Sequence, residues 1–592
     1  MEEKFIKQIL KHGALLKKYN YIFIILGNLK ILFVTSFLAS IYLLIRRGLS
    51  LLTITFCIII LTILVALWIY HSIITEKVKF HKEIISINKK QIDRISYNWN
   101  VLNDMGEEFI DIDHPYSQDL DIVGKKSLFQ FINSTNTYHG RKAFADDLIQ
   151  PKYTKDEVLL RQEAILELSE NIEFSNEIQY YLNKIKPTKD VLNLINEIKD
   201  DKIFIKSKII KNIIKFLPII TISFGVLVLV FKLKNLYYTT LLIGLFQLII
   251  WVIGRKKIHD FLGAITSLPY KLDPYGKAID FIEKENFSSK KLLDIKSALV
   301  SPGSSASNAI KDLDKITNKI NFGKNEVLYF VLNVLLWWDY NCAIMLEEWK
   351  EKYSKLSEDW FLKIGELESL ISFANLPNAC SNMSTPIYTD DKNIIKAEEI
   401  GHPLLPNDKR ISNDMAIDDN ILIISGSNMS GKTTFLRTVG INLCLAKAGS
   451  LVCANKFTFS NLNILTSMRI TDDLNEGISS FYAELKRIKL IVDEAKKNQD
   501  ILFLIDEIFK GTNSIDRLYG AKTVISKLSG LNTIGLISTH DLELCSLANS
   551  RIKNYSFSER YADNKIYFDY KIKEGKSETT NAKYLMEIIG LI

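Results

Sequence analysis

The stretch Gly426-Ser427-Asn428-Met429-Ser430-Gly431-Lys432-Thr433 fits the pattern G-x-x-x-x-G-K-[ST], and its flanks leave few folds open. Ile421-Leu422-Ile423-Ile424 ahead of it is a short unbroken apolar run, the pattern of a buried parallel strand. Thr434-Phe435-Leu436-Arg437-Thr438-Val439 behind it reads as the start of a helix. Strand, glycine loop and helix in that order predict an α/β domain with a parallel sheet. They also predict a phosphate site. Glycines let backbone N–H groups curl around phosphate oxygens. The helix N-terminus adds unsatisfied donors and the positive end of its dipole. In such a site Lys432 reaches the β- and γ-phosphates of ATP, and Thr433 holds Mg²⁺.

Two later runs have the pattern of the strands beside it. Ile501-Leu502-Phe503-Leu504-Ile505 is a second buried-strand run, and it ends in Asp506-Glu507. A strand that delivers two carboxylates beside a phosphate loop supplies the other half of a nucleotide site. Asp506 then binds Mg²⁺ through water, and Glu507 orients or deprotonates the attacking water. Ile534-Gly535-Leu536-Ile537-Ser538 is a third strand, ending in Thr539-His540, where a histidine can sense the γ-phosphate. Glu507 and His540 are therefore the candidate catalytic residues.

At 592 residues the chain has room for several domains. Its 47% hydrophobic content and mean hydropathy of +0.07 are high beside 24% charged residues, which predicts apolar blocks. Residues 31–45 and 49–70 are two such blocks, separated by Arg46-Arg47-Gly48 and preceded by a basic, amphipathic stretch over 1–20. A bilayer-crossing helix needs about 20 apolar residues. The second block meets this; the first does so if it starts near Tyr21 and accommodates Lys30. Together they predict a membrane hairpin. No small-x-small cleavage site follows the first block, so a cleaved signal peptide is not expected.

A second apolar pair, 216–231 and 236–253, flanks Lys232-Leu233-Lys234-Asn235 and contains Pro218. It reads as another membrane hairpin, the alternative being a buried helical hairpin in a soluble core. Four spans return both chain ends to one side. Lys206, Lys208, Lys211 and Lys215 precede the second pair and Arg255-Lys256-Lys257 follow it, which predicts a multi-pass cell-membrane protein with its ATPase domain in the cytoplasm. The six cysteines are scattered with no C-x-x-C pair and read as reduced thiols, and the eight histidines show no metal-ligand spacing. The net charge of +7, from 75 basic and 68 acidic residues, is accounted for by membrane flanks and does not by itself argue for nucleic acid.

Residues 126–132 and 140–148 read as helical turns, Pro151 breaks the chain, and 156–168 resumes with helical spacing of Val158, Leu159, Ala164, Ile165 and Leu168. Residues 258–374 are helical in pattern, broken at Ser301-Pro302-Gly303-Ser304-Ser305. Over 327–376 one or two long helices carry Tyr329, Phe330, Trp337, Trp338, Tyr340, Trp349 and Trp360, a stripe that reads as core packing rather than base stacking. From about Ile394 the texture is α/β. The expected domains are a transmembrane hairpin over 1–90, a first part of a helical core over 91–215, the second apolar hairpin over 216–254, a helical lever region over 255–385, and the ATPase domain over 386–592.

The C-terminal third resembles the ATPase domain of the MutS family, within the ABC-type ATPase superfamily. Gly401-His402-Pro403-Leu404-Leu405 is similar to the family's His-Pro turn, and Gly426 through Thr434 to its Asn-Met-containing phosphate loop. Asp472-Asp473-Leu474-Asn475-Glu476-Gly477-Ile478-Ser479-Ser480-Phe481 is similar to its signature segment. Asp506-Glu507 with Gly511-Thr512 resembles its Walker B carboxylates and following loop, and Thr539-His540 its switch. Upstream, Ser127-Leu128-Phe129 through Gly140-Arg141, with Arg161-Gln162-Glu163-Ala164-Ile165, resembles the start of its helical core. Gly365-Glu366-Leu367-Glu368-Ser369 resembles the end of its lever helices. Phe509 and Lys510 stand where the family usually has Gly and Arg. Membrane sequence occupies the place of the mismatch-reading N-terminal domain. That domain's Phe-x-Glu motif is matched in spelling by Phe281-Ile282-Glu283 and Phe557-Ser558-Glu559, both in other domains.

The resemblance implies an ATPase that uses ATP and Mg²⁺ as a homodimer with shared sites. Ser479 and Ser480, after Gly477, would close over the nucleotide held by the partner; Ser480 also reads as the N-cap of a helix over 482–495. It further implies DNA, mismatched or branched, as a partner. The alternative is an ATP-driven conformational switch in the membrane that acts on a protein without DNA.

Overall fold

In the computed structural model two long helices open the chain, α1 (Glu2–Arg47) and α2 (Leu51–Ile95). The structure describes residues 2–48, 50–199, 204–205, 207–266, 272–301, 304–322, 326–469, 480–497, 500–509, 513–562 and 565–577. Gly48 turns the chain at φ +80°, and Ser50 starts α2 by accepting from the Thr53 backbone N–H at 3.2 Å. Both helices are long and apolar enough to cross a membrane, with mean hydropathies of 2.1 and 2.8 over their most apolar windows. Ile31, Leu32, Leu38, Ile58, Ile59 and Trp68 project outward from this stretch. Lys30, the one charge the first block has to accommodate, places its Nζ 3.1 Å from Nδ1 of His71 on the opposing helix. A polar partner inside the hairpin is how an apolar helix carries a lysine at low cost.

The last turns of α2 have a different environment. Ile84, Ile87, Asn88, Gln91 and Arg94 are buried. Arg94 donates to the carbonyls of Phe131 and Asn133 at 2.7 and 2.6 Å, and Gln91 donates to Asn375 Oδ1 at 2.6 Å. Asn375 in turn donates to the Ile132 carbonyl at 2.8 Å. The helix therefore continues without a break from an apolar surface into a polar, hydrogen-bonded core.

The chain forms two compact units: Met1–Asn133 with Ala145–Tyr180 and Ser372–Ile592, and Ser134–Phe144 with Tyr181–Ile371. The second unit is helical. It holds the second apolar pair, α3 (Lys208–Phe231) and α4 (Lys234–Thr266), which also pass the length and hydropathy test for a membrane span. Pro218 lies inside α3, and Lys232, at φ 53°, closes that helix. Next come α5 (Glu326–Leu336) and α6 (Trp338–Ala374), so the long helical stretch is two helices, bent by 76° at Trp337. The bend has identifiable holders: Trp337 Nε1 donates to the Gln247 carbonyl at 2.9 Å, and Asn333 Oδ1 accepts from the Asp339 N–H at 2.9 Å. Trp337, Trp349 and Trp360 are buried, as a packing stripe requires, while Phe330 is exposed.

In the first unit the α/β domain is built on β1 (Ile421–Ser425), α7 (Lys432–Lys447), β2 (Asn463–Ser467), α8 (Ser480–Lys497), β3 (Ile501–Asp506), α9 (Ser514–Ser529), β4 (Ile534–Thr539), β5 (Ile552–Ala562) and β6 (Lys565–Glu574). The sheet order is β2-β3-β4-β1-β5-β6, parallel throughout except for the antiparallel β5–β6 edge. Every residue of β1, β3 and β4 is buried, as in a parallel sheet covered on both faces. Gly535 is explained by its neighbour: on β4 it pairs with Phe503, and a Cβ there would lie 2.3 Å from the phenyl ring. A separate four-stranded sheet is formed by Ile387–Tyr388, Lys456–Phe459, Ile394–Ile400 and Asn413–Asp418.

Arg161 joins the helix Lys155–Glu170 to this domain. Its guanidinium is 1% exposed and donates to the Ala448 carbonyl at 2.7 Å, to the Tyr153 hydroxyl at 2.9 Å and to Asp147 Oδ2 at 2.7 Å. Removing one member of a buried ion pair strands the other charge, at about 3–5 kcal/mol. Arg161→Ala is expected to lower unfolding stability by about that amount, measured by denaturant titration of the detergent-solubilised chain. A change within about 0.5 kcal/mol, the size of an ordinary surface substitution, would contradict this account.

Candidate nucleotide site

β1 ends at Ser425, and the chain loops through 426–431 before α7 begins at Lys432. Gly431, at φ +105°, is the residue ahead of the helix, a conformation that L side chains rarely adopt. Met429 also has a positive φ, 66°, and its side chain is 85% exposed. Lys432 is buried beneath the loop and donates to the carbonyls of Gly426 and Ser427, both at 2.8 Å. Its Nζ also lies 3.3 Å from His540 Nε2.

The carboxylates reach the loop through the sheet register. Asp506 pairs with Ser538 across β3 and β4, and Ser538 lies beside Ile424 of β1. This brings the Asp506 carboxylate to the Thr433 hydroxyl, 3.0 and 2.9 Å from its two oxygens, and the Ser538 hydroxyl donates to the same group. Glu507, one residue beyond the strand, is in the left-handed region at φ 56°. Its N–H donates to the Ser538 carbonyl at 3.1 Å, and its Oε1 lies 2.7 Å from His540 Nε2. A non-glycine residue held in this conformation costs of order 1–3 kcal/mol, which the surrounding hydrogen bonds offset.

These groups face a cavity of about 540 Å³. Ser427, Asn428, Met429, Ser430, Gly431, Lys432, Thr433, Thr434 and Glu507 line it, as do His402, Ile411, Phe557 and Tyr570. Burial pushes the His402 imidazole down to about 3, helped by the nearby Arg437 and Arg410, so it is a neutral wall. Gly426, Asp506 and His540 adjoin the cavity through their hydrogen bonds to Lys432, Thr433 and Glu507. The structure thus brings the two halves read from the sequence into one place. Ser479 lies outside the described residues. Of Ser480 only the backbone is described, and α8 begins there.

Several neighbours had no signal in the sequence. Ser538 holds Asp506 from the adjacent strand, a contact made only by the parallel register. Glu559 accepts from the Ser427 hydroxyl at 2.9 Å, so Phe557 and Glu559 belong to the wall and support of this site. Phe509, at φ 62°, fills the space over Gly520, where a Cβ would come 2.7 Å from its ring. Its N–H donates to the buried Glu484 of α8. Lys510 lies outside the described residues.

The residues fit a magnesium–nucleotide pair. Ser430 Oγ is buried and has no protein partner among the described residues. Gly426 leaves no room for a Cβ, which would meet the Phe557 carbonyl at 2.8 Å. A hydroxyl beside a carboxylate is an all-oxygen donor set of the kind a hard divalent cation takes. A lysine, loop amides and a helix N-terminus converging on one cavity suit polyphosphate.

Comparison with known proteins agrees with this geometry. The family model for MutS domain V matches residues 422–591. The chain is similar to the DNA mismatch repair protein MutS of Clostridium kluyveri, 24% identical over 577 residues that cover 87% of this chain and 63% of that protein. It is similar to the protein of the same name from Alkaliphilus oremlandii, 31% identical over 239 residues, 38% of this chain and 27% of the relative. It also resembles MutS protein homolog 4 of Homo sapiens, 29% identical over 288 residues, 46% of this chain and 29% of the relative. The chain spans less than two thirds of the length of these curated relatives. The C-terminal α/β domain, residues 422–591, therefore belongs to the MutS family as its domain V.

Proposed function

We propose that the chain is a membrane-anchored ATPase of the MutS type that binds and hydrolyses MgATP as a homodimer. The observation that carries the reading is a cavity lined by Lys432, Thr433 and Glu507, with Asp506 and His540 hydrogen-bonded to these residues from behind. Lys432 draws the β- and γ-phosphates by charge, and the amides of 427–431 hold them by hydrogen bonds. Thr433 and Asp506 would hold Mg²⁺, which spreads the charge of the phosphate oxygens when bound. Glu507 takes the proton of the attacking water. His540 holds the Glu507 carboxylate toward the phosphates from the end of β4.

Two readings of the partner remain, and each has its support. The relatives named for DNA mismatch repair support coupling of the ATP cycle to mismatched or branched DNA. The second reading is an ATP-driven switch that acts on a protein partner. It is favoured by α2, whose apolar turns and core-anchored turns form one continuous helix. In either case we place the protein at the cell membrane as a multi-pass chain with the ATPase domain in the cytoplasm.

Lys432→Ala is expected to abolish nucleotide binding, and Glu507→Gln to bind ATP while turning over about 10²–10⁴-fold more slowly. Equal hydrolysis by wild type and Glu507→Gln would remove Glu507 from the mechanism. Mixing Lys432→Ala chains with Ser479→Arg/Ser480→Arg chains should restore hydrolysis that neither has alone, since one composite site of the mixed dimer is intact. Hydrolysis by a strict monomer would end the dimer reading.

The full chain is expected to stay in the pellet when membranes are washed with alkaline carbonate. Its release into the supernatant would overturn the membrane placement.

DNA binding by the detergent-solubilised full chain, measured across a salt series, separates the two partner readings. A DNA-coupled protein loses affinity steeply as salt rises, because phosphate contacts release counterions. No binding to homoduplex, mismatched or branched DNA at low salt would leave the protein-partner reading.

A further inference from the structure

The segment that follows α2 in the chain makes a tight turn against the ATPase domain at Asp119-Leu120-Asp121. Asp119 is 3% exposed, and its carboxylate closes the end of β2. Its Oδ2 accepts from the Thr466 hydroxyl at 2.6 Å and the Met468 N–H at 3.1 Å, and its Oδ1 accepts from the Arg469 N–H at 2.9 Å. Leu120 is fully buried against α7 at Gly440, where a Cβ would lie 2.8 Å from both of its methyl carbons. Asp121 is a non-glycine residue at φ 52°, and its carboxylate is shared by two arginines. Arg469 binds it through both oxygens, at 2.6 and 2.9 Å, and Arg437 of α7 reaches Oδ2 at 3.2 Å.

The two arginines belong to different parts of the ATPase. Arg437 is on the helix that begins with Lys432 and Thr433. Arg469 lies two residues past the end of β2 at Ser467. Without a carboxylate between them the two guanidinium groups would repel. Nothing in the chemistry assigned above uses Asp121.

We propose that Asp121 is a positioning residue of the ATPase: it fixes the phosphate-loop helix relative to the end of β2, from a turn supplied by the segment after the apolar hairpin. The proposal rests on the ATPase reading and specifies how that site is held in register. Misplacing a reacting group by about 1 Å costs up to about 10²-fold in rate, with little effect on ground-state binding.

The test uses the full chain in detergent, with MgATP as the probe. Asp121→Asn and Arg469→Ala are each expected to lower kcat about 10- to 100-fold while KM for ATP changes less than about threefold. Arg469 is 45% exposed at its side chain, so its loss leaves the fold intact and covers the case in which Asp121→Asn does not fold. Because the two residues form one link, the double variant should be no slower than the slower single variant. Arg469→Lys, which keeps one charged contact, should recover part of the rate. Unchanged kcat in both single variants, or single effects that multiply in the double variant, would overturn the proposal. If that happens while Lys432→Ala abolishes hydrolysis, the ATPase reading stands and the positioning role falls; a wild-type chain that does not hydrolyse MgATP removes both.

Discussion

The site depends on a buried parallel register. β1, β3 and β4 are apolar on both faces, so a slip of one residue would move no side chain to water and burial alone cannot set the alignment. What distinguishes one register is local. Phe503 needs a glycine opposite it, and Gly535 supplies one; three residues on, the same pairing puts Asp506 against Ser538. Thr433 then meets a carboxylate already oriented by a hydroxyl on the neighbouring strand. The packing of one phenyl ring over one glycine thereby fixes the geometry of the polar end of the sheet.

The glycine loop, the strand before it and the carboxylate pair were legible because each rests on a local pattern. An apolar run of four residues, two glycines at fixed spacing and two adjacent acids all report on their own backbone. Ser538, Glu559 and Tyr570 could not be read in this way, since their part in the site arises from strand order: β5 enters the sheet beside β1 from more than a hundred residues away and brings β6 to its edge. The positive φ of Glu507 was equally hidden, because nothing in Asp506-Glu507 distinguishes a carboxylate that continues the strand from one turned out of it. Helix existence was legible and helix extent was not. The apolar blocks mark the adjoining ends of α1 and α2, but the helices run on to 46 and 45 residues, and the far turns of α2 are held by tertiary contacts.

The second unit shows another limit of sequence pattern. Trp337 interrupts an otherwise continuous helical run without a glycine or proline, at φ 49°. The break is held by the Trp337 indole on the Gln247 carbonyl and by Asn333 on the Asp339 amide. These contacts join α4, α5 and α6, so the bend is a property of their packing.

Gln91 has a consequence for biosynthesis. Its buried partner, Asn375, lies 284 residues downstream. On a ribosome the hairpin emerges long before that asparagine is made. During this interval Gln91 lacks that partner and keeps its hydrogen bonds with water. The first unit can therefore close around its helix only after most of the chain has been translated.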